Sequence, residues 1–322
     1  MVSRRQFLAA MAAGALTGAC RRTTRSGQLS HFRMQSPWVN DAEFIGYFAA
    51  LDNGWYRDAG LDLAYQPGGP DIIAEAALLS NRADIALAPL ETVANLIARD
   101  KAPLRIVGAQ YQKSPLGVVS LAGSNIKGPR DLVGKTLAVP AANVLTVDAL
   151  FRLNGINKSD VKIVPYQYDP TPLVNRQVDA TIDFVTNVPF AIKQAGAEPS
   201  SFLIYDFGFK VFNDVVVVTD ATLKTKRNDI VAYLRASRRG WIENFKDVEK
   251  YPRRLQESYF KGTGRTVENE IFFNRAQQPL IDASNGIFSI TSEGIDSNLA
   301  ALRTVGIQVS GEMFYTDLLK EV

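Results

Sequence analysis

The sequence predicts an α/β fold of about two domains, with largely parallel sheets that helices cover. Short apolar runs of strand length alternate with helical patterns from residue 31 to about residue 195. The chain has 322 residues, which is enough for about two domains. Hydrophobic residues make up 46% of the chain and charged residues 21%, as is typical of a globular protein.

In the first 121 residues, each strand pattern leads into a helical pattern or a turn. Strands are predicted at 31–39, 61–65, 83–88, 104–109 and 116–121, because apolar or alternating residues run for strand length there. A helical pattern runs through Phe44 and Leu51 and stops at Gly54. A second helix follows the turn at 68–71, and a third covers 90–99.

The same alternation continues through the middle of the chain and then changes. Strands are predicted at 135–139, 161–164 and 178–184. Helices are predicted at 127–132, 146–153 and 189–195, and a further helix is predicted to end at residue 177. A strong strand at 215–218 is followed by helices at 228–245, 251–260, 268–277 and 291–305. If the chain crosses back to the first domain, this helical last third completes that domain.

The composition excludes several other classes of protein. Mean hydropathy is −0.05, and no apolar run reaches the ~20 residues that a membrane-spanning helix needs. Lys and Arg number 36 against 33 Asp and Glu, so a nucleic-acid partner is not expected. One Cys and one His exclude a disulfide framework and a zinc site with several such ligands. We expect neither a metal nor a cofactor.

Residues 1–19 have the layout of an export signal. The string Ser3-Arg4-Arg5 precedes Phe7 and a small apolar run, as in signals of the twin-arginine type. Cys20 follows this run, where a bacterial lipoprotein is cleaved and lipidated; the alternative is a signal without lipidation. Residues 20–29 then form a polar tether. We therefore expect an extracytoplasmic protein that a lipid on Cys20 anchors to the cell membrane.

Several segments match a known family in the same order. They are the stretch 38–63, the turn at 68–70, the Ala-Asp strand at 83–86, the strand at 131–139 and the element at 178–189. From about Ser30 to about Leu223 this order resembles bacterial ABC-transporter solute-binding proteins. The resembling group is related to the thiamine-pyrimidine synthases and the sulfonate-binding proteins.

The resemblance implies a type II periplasmic-binding-protein fold, in which two crossover strands join two α/β lobes around a ligand cleft. Lobe one is predicted at 30–112 plus 210–322, and lobe two at 113–209. Hinge closure of such lobes around a ligand is a common switching mode. The resemblance further implies a monomer that captures a small molecule outside the cytoplasm and delivers it to an ABC permease.

Ligands of open α/β sheets bind beyond the carboxyl ends of the strands, so the junctions after the strands supply candidate residues. Trp38, Asn40 and Asp41 combine a flat aromatic ring with hydrogen-bonding groups, or instead form a core residue and a helix cap. Gly68 and Gly69 let the backbone approach a ligand, or form a plain turn.

Further candidates come from later junctions. Glu91 either binds a ligand N–H group or stabilises the dipole of its own helix. Tyr166 and Tyr168 occupy alternate positions on one strand face and form an aromatic wall, unless one packs beneath the following helix. The remaining candidates are Tyr47, Thr146, Phe184 and Asn187, with Phe212 and Asn213 added from the resemblance.

The candidate residues favour one ligand class. They are rich in aromatic rings and amides, and Lys113 is the only cation near a proposed hinge. This suits a flat, neutral or weakly basic nitrogen heterocycle, which within the resembling group means riboflavin or a pyrimidine precursor of thiamine. A sulfonate or nitrate ligand stays open as an alternative, because helix N-termini bind anions without Lys or Arg.

Enzymatic activity is not expected. Pyrimidine-synthase relatives use an active-site His and a Cys-rich segment, whereas this chain has only His31 and Cys20. An extracytoplasmic enzyme on the same scaffold is one alternative, since carboxylates alone can perform acid–base chemistry. A sensor subunit that signals through a partner is another.

Overall fold

The computed structural model describes residues 29–282 and 284–322. The predicted export signal at 1–19, the predicted lipidation of Cys20 and the tether up to residue 28 lie outside the described residues. Among the residues that are described, none of the helices combines the length and the apolar character needed to span a membrane.

The described residues form two five-stranded sheets. The first sheet contains β1 (Ser30–Gln35), β2 (Leu61–Gln66), β3 (Ile85–Ala88), β4 (Leu104–Tyr111) and β10 (Asn213–Thr219). The second sheet contains β5 (Leu116–Leu121), β6 (Thr136–Val139), β7 (Lys162–Pro165), β8 (Ala180–Phe184) and β9 (Pro199–Leu203). Each sheet is the centre of one α/β lobe, so the two-lobed fold class is confirmed.

The helices follow the strands along the chain. Around the first sheet lie α1 (Ile45–Asp52), α2 (Trp55–Asp58), α3 (Ala74–Leu79) and α4 (Leu90–Asp100). Around the second lie α5 (Val144–Leu153), α6 (Thr171–Val174) and α7 (Val188–Gln194). The last third of the chain forms α8 (Asp220–Thr225), α9 (Arg227–Lys246), α10 (Lys250–Leu255), α11 (Val267–Ile281) and α12 (Ser292–Thr304).

Both sheets are largely parallel, as the alternation of strands and helices predicts. The strand orders are β2-β1-β3-β10-β4 and β7-β6-β8-β5-β9. In the first sheet only β10 runs antiparallel to its neighbours, and in the second only β5 does. These two are the strands that enter directly from the other sheet. Strand β9 was not predicted, because its Pro-Ser-Ser sequence lacks an apolar pattern and it lies at an edge.

The first lobe depends on a close crossing of α1 and α9. A Cβ at Gly240 would lie 1.9 Å from the carbonyl oxygen of Gly46, and a Cβ at Gly46 would lie 2.2 Å from the Trp241 ring. Trp241 is fully buried. The last third of the chain is therefore packed against the first lobe. Two of its helices also contact the second lobe, α11 at α7 and α12 at α5.

Candidate functional site

Side chains that follow the strands of the two sheets meet between the lobes. Among the contacts that cross this cleft are three that each join a residue of the first lobe to one of the second. They are an aromatic pair, a hydroxyl–carboxylate hydrogen bond and a guanidinium–amide hydrogen bond. Five of the six residues concerned were predicted from the sequence.

The aromatic pair is Trp38 with Tyr168. Their ring centroids are 4.8 Å apart with an interplanar angle of 61°, and the Tyr166 ring lies 5.8 Å from Tyr168. The prediction that both tyrosines share one strand face is wrong, because β7 ends at Pro165 and Tyr168 has a φ of 60°. The rings are nevertheless neighbours, and Tyr168 is 39% exposed at the cleft while Tyr166 is buried.

The second contact joins the start of α4 to α5. Thr146 Oγ1 donates a hydrogen bond to Glu91 Oε1 at 3.1 Å, and both side chains are buried. Burial raises the pKa of the Glu91 carboxyl, while the bond from Thr146 opposes that shift. Glu91 also lies in the first turn of α4, so its helix-dipole role and its place at the cleft are compatible.

The third contact is made by Arg265, which precedes α11. Its Nη1 donates to Asn187 Oδ1 at 3.0 Å in the second lobe, and its Nη2 lies 3.1 Å from Asp41 Oδ2 in the first. Sequence analysis named Lys113 as the only nearby cation and missed Arg265, which follows no strand. The Lys113 ammonium instead lies 5.4 Å from the centre of the Tyr205 ring.

A cluster of buried carboxyl groups lies on the first-lobe side of the Arg265 guanidinium, which approaches two of them, Asp41 and Glu270, directly. The four groups belong to Asp41, Glu43, Asp214 and Glu270. Burial raises the pKa of all four, to about 7 at Asp214 and about 8 at Glu270, and neighbouring carboxylates add to the shift at Glu43, Asp214 and Glu270. Part of this cluster therefore holds protons at neutral pH. Within residues 29–282 and 284–322, no group of His, Cys, Asp or Glu is arranged to hold a metal ion.

Backbone and amide donors hold these carboxyls in place. Asp41 Oδ1 accepts from the backbone N–H of Glu43 at 2.9 Å, so the predicted helix-cap role of Asp41 is confirmed alongside its ion pair. Glu270 Oε2 accepts from the backbone N–H of Ala42 at 2.5 Å. Gln110 Nε2 donates to the carbonyl of Glu43 at 2.8 Å and to Asp214 at 3.3 Å.

Gly68 and Gly69 connect the loops that follow β2 and β1. The Gly68 N–H donates to the Trp38 carbonyl at 2.8 Å, and the Gly69 N–H donates to the Pro37 carbonyl at 3.3 Å. A Cβ at Gly68 would lie 2.4 Å from the Ser36 carbonyl oxygen. The geometry matches the plain-turn alternative: these glycines let two loops touch, and that contact positions Trp38.

Two of the predicted residues are buried in packed regions. Tyr47 is fully buried, stacks on Tyr233 at 6.1 Å and contacts Trp241 edge-on at 5.9 Å. Phe212 is 5% exposed, and its backbone N–H donates to Asn298 Oδ1. Both side chains belong to hydrophobic core clusters of the described residues.

The other predicted residues each contact a neighbouring side chain or backbone group. Phe184 meets Tyr111 edge-on at 6.1 Å. Asn213 Oδ1 accepts from the backbone N–H of Asp214, and Asn40 Nδ2 donates to the Tyr259 carbonyl at 3.1 Å. Asn187 makes a second contact across the cleft, because Asn269 Nδ2 also donates to its Oδ1 at 3.1 Å.

One further carboxyl in the second lobe was missed. Asp183 lies in β8 and accepts a hydrogen bond from the backbone N–H of Phe184 at 2.7 Å. Burial raises the pKa of Asp183 to about 6. A charged residue inside the apolar strand Ala180–Phe184 was a sequence signal that could have found it.

Comparisons with known proteins agree with this architecture. The family model described as NMT1/THI5 like matches residues 41–250. The riboflavin-binding protein RibY of Chloroflexus aurantiacus is 21% identical over 227 residues, which are 69% of this chain; the chain spans only 64% of the length of that relative.

Two solved structures illustrate the range of proteins with this fold. The periplasmic aliphatic sulphonate binding protein SsuA of Escherichia coli superposes with a TM-score of 0.67 at 13% identity, over 85% of this chain and 91% of its own. The desulfurization enzyme DSZB superposes with a TM-score of 0.59 at 14% identity, over 90% and 98%. At these identities the likeness shows the fold, which is the type II periplasmic-binding-protein fold. Since the family model covers most of the two-lobed region, the chain belongs to the NMT1/THI5-like family.

Proposed function

We propose that this protein is the solute-binding component of an ABC importer and holds a flat nitrogen-heteroaromatic vitamin between its lobes. The observation that carries this proposal is the Trp38–Tyr168 pair across the cleft. Because the two rings belong to different lobes, a planar solute between them would contact both lobes at once and favour closure. Family membership and the similarity to a riboflavin-binding protein support the same function.

The charges around the cleft favour a neutral or weakly basic ligand over an anion. Arg265 is already paired with Asp41 and bonded to Asn187. Further carboxyl groups at Glu91 and Asp183 contribute acceptors from both sides. A sulfonate needs several free donors, whereas a ring with N–H groups can donate to carboxylates. We therefore prefer riboflavin or a pyrimidine precursor of thiamine to a sulfonate or nitrate.

The remaining parts of the proposal concern where the protein acts. We propose that residues 1–19 export the chain and that a lipid on Cys20 anchors it outside the cytoplasm. The monomer would present its closed form to a membrane permease. We also propose that lobe one comprises 30–112 plus 210–322 and lobe two 113–209, as the strand content of the two sheets suggests.

A second candidate is an extracytoplasmic enzyme, since a desulfurization enzyme shares the fold. The placement of His31 argues against His-based chemistry in the cleft. It is exposed near the amino end of β1, where Nδ1 lies 3.4 Å from Asp62 Oδ2, while Trp38 follows the opposite end of the strand. We therefore propose binding without turnover.

Thermal unfolding with added solutes tests this function. Riboflavin or the thiamine pyrimidine should raise the melting temperature, since a ligand at about 100 Kd adds about 2.7 kcal/mol of stability. An alkanesulfonate should leave it unchanged. Trp38→Ala should abolish the shift, whereas Trp55→Ala should retain it because Trp55 packs under Arg239 on α9.

Two results would contradict the proposal. One is an unchanged melting temperature with riboflavin and the pyrimidine at millimolar concentration. The other is the appearance of a new product by mass spectrometry after prolonged incubation with excess solute, which would support the enzyme instead.

A further inference from the structure

Both segments that cross between the lobes meet the first lobe at its cluster of buried carboxyls, the carboxyl cluster. The first crossing, 112–115, leaves the end of β4 directly after Gln110 and its neighbour. The second, 204–212, leads into the start of β10, which contains Asp214. Gln110 Nε2 donates to Asp214 Oδ2 at 3.3 Å, so a side-chain contact joins the two crossings. The carboxyl cluster consists of Asp41, Glu43, Asp214 and Glu270.

Asp214 occupies a backbone position that suits a hinge. Its φ is 45°, in the left-handed region that few residues other than glycine adopt. Hinge motions are absorbed by a few residues in loops or at the ends of elements, and Asp214 is the second residue of β10. Its side chain is buried within the first lobe. A rotation of the lobes about this hinge would therefore act directly on the surroundings of the Asp214 carboxyl.

The other side of the carboxyl cluster reaches the second lobe. Arg265 Nη1 donates to Asn187 Oδ1 across the cleft and lies 3.8 Å from Glu270 Oε1. Near Glu270 on α11, the Phe272 ring lies 5.6 Å from the Phe190 ring on α7 of the second lobe. The carboxyl cluster thus lies between the hinge and these contacts across the cleft. Separation of the lobes would let water reach its Arg265 end.

The charge of the carboxyl cluster changes in the neutral pH range. The Glu43 and Asp214 carboxyls lie within hydrogen-bonding reach of each other, which favours a proton shared between them. Burial raises the pKa of Asp214 to about 7 and that of Glu270 to about 8. When both groups ionise, the positive charge of Arg265 cannot offset the buried negative charges, and access to water lowers their cost.

The other titratable groups that face the carboxyl cluster or Arg265 do not reverse this effect. They are Tyr47 of α1, Tyr65 of β2, Tyr111 of β4 and, from the second lobe, Asp183 of β8. Burial raises the pKa of the three tyrosines above 10, so they stay neutral. Burial raises the pKa of Asp183 to about 6, so this carboxyl ionises before Asp214 and Glu270 do.

We propose that the carboxyl cluster is a proton-linked switch of lobe closure: its protonated form holds the lobes closed, and its ionised form favours the open receptor. A carboxyl whose pKa is higher in the closed form favours closure at low pH, and this contribution is lost as the pH rises through the closed-form pKa. The switch acts on the empty protein, while its effect on solute affinity rests on the proposed function. Solute should therefore bind more weakly as the pH rises.

Small-angle X-ray scattering of the protein without solute tests the switch. We expect a larger radius of gyration at about pH 9 than at about pH 6, on either side of the pKa values of Asp214 and Glu270. Asp214→Asn and Glu270→Gln each replace a titrating carboxyl with a neutral amide of the same size, so each should reduce this difference. Glu293→Gln, at an exposed position of α12, should retain it.

Two scattering results would overturn the switch. One is the same radius of gyration at both pH values in the wild type. The other is an undiminished difference in both amide variants. Asp214→Asn and Glu270→Gln alter different elements, β10 and α11, so either variant can serve if the other fails to fold.

A riboflavin titration over the same pH range tests the effect on solute binding. The dissociation constant should rise with pH, by up to about tenfold per pH unit for each proton taken up on closure. Both amide variants should show a smaller rise than the wild type. Tight binding with a pH-independent dissociation constant would overturn the link between the switch and the solute. Failure of riboflavin to bind at any pH would overturn the proposed ligand, whereas the scattering result would still decide the switch.

Discussion

At the scale of single residues, the unusual feature is a cluster of four buried carboxyls, two of which, Asp41 and Glu270, lie within 4.0 Å of the Arg265 guanidinium. Removing charged groups from water is costly, and one guanidinium cannot offset several buried carboxylates. The structure meets this problem by favouring protonation, which is why burial raises the pKa of Glu270 to about 8 and that of Asp214 to about 7. Folding is thereby linked to pH in the neutral range.

The direction of this linkage follows from the raised values. A carboxyl with a higher pKa in the folded state stabilises the fold fully at pH values below its unfolded pKa, and this contribution is lost as the pH rises through the folded pKa. We expect the free energy of unfolding to fall between pH 4.5, the ordinary pKa of a glutamate, and about 8, the pKa of Glu270 in the folded protein. The slope should reach about 1.4 kcal/mol per pH unit for each retained proton.

Glu270→Gln isolates part of this effect. The amide oxygen can still accept from the Ala42 N–H group but cannot ionise. Urea unfolding across that pH range should therefore show a shallower decline than in the wild type. Glu293→Gln, at an exposed position of α12, should leave the slope unchanged. A variant slope equal to that of the wild type would contradict the assignment of the linkage to Glu270.

At the scale of elements, the crossing of α1 and α9 fastens the last third of the chain to the first sheet. The two helices approach so closely at Gly46 and Gly240 that neither position has room for a Cβ. Helix α9 also carries Tyr233 and Trp241, which contact Tyr47 in the same core. The small residues and the large aromatic residues are thus complementary parts of one packing arrangement.

Gly240→Ala should strain this crossing. Overpacking a rigid interior typically costs about 1–3 kcal/mol, so we expect a loss of this size in the free energy of unfolding, measured with urea. Gly123→Ala is the matched control, because a Cβ there meets no atom within 4 Å. If both variants were as stable as the wild type, the crossing would have more freedom than the structure indicates.

At the scale of the whole molecule, the lobes are held together by a small number of contacts across the cleft. Each typical hydrogen bond contributes only about 1 kcal/mol net, so contacts such as Arg265–Asn187 and Glu91–Thr146 hold the lobes weakly. The lobes are also joined by the crossing segments 112–115 and 204–212 and by the contacts of α11 with α7 and of α12 with α5. This balance suits a receptor whose solute decides between open and closed forms.

Asn187→Ala should shift this balance toward the open form. The change removes the acceptor that both Arg265 and Asn269 use, while the second lobe keeps its own core. Small-angle X-ray scattering should give a larger radius of gyration than for the wild type, and a saturating solute should reduce the difference. Asn157→Ala, on the exposed surface of the second lobe, should scatter like the wild type. An unchanged radius for Asn187→Ala would show that this contact does not hold the lobes together.

Sequence analysis succeeded where the signal was local. Trp38, Glu91, Thr146 and Asn187 were predicted because they follow strands, and each makes a contact across the cleft. It was less successful with residues whose neighbours are remote. Tyr47 and Phe212 carry suitable side chains near suitable strands, but packing buries them.

The sequence by itself determined the order of strands and helices, the two-sheet fold class and the junctions where a ligand cleft could form. Periodicity and turn residues encode the order of strands and helices, because each element depends on a few neighbouring positions. The two-lobed class was predicted from the ordered resemblance to a family. Only the tertiary structure decided that Arg265 joins Asp41 to Asn187 and that four carboxyls share one buried region. These groups come together because the chain crosses twice between the lobes. Residues that are distant in sequence then become neighbours, and a local sequence pattern does not predict which ones.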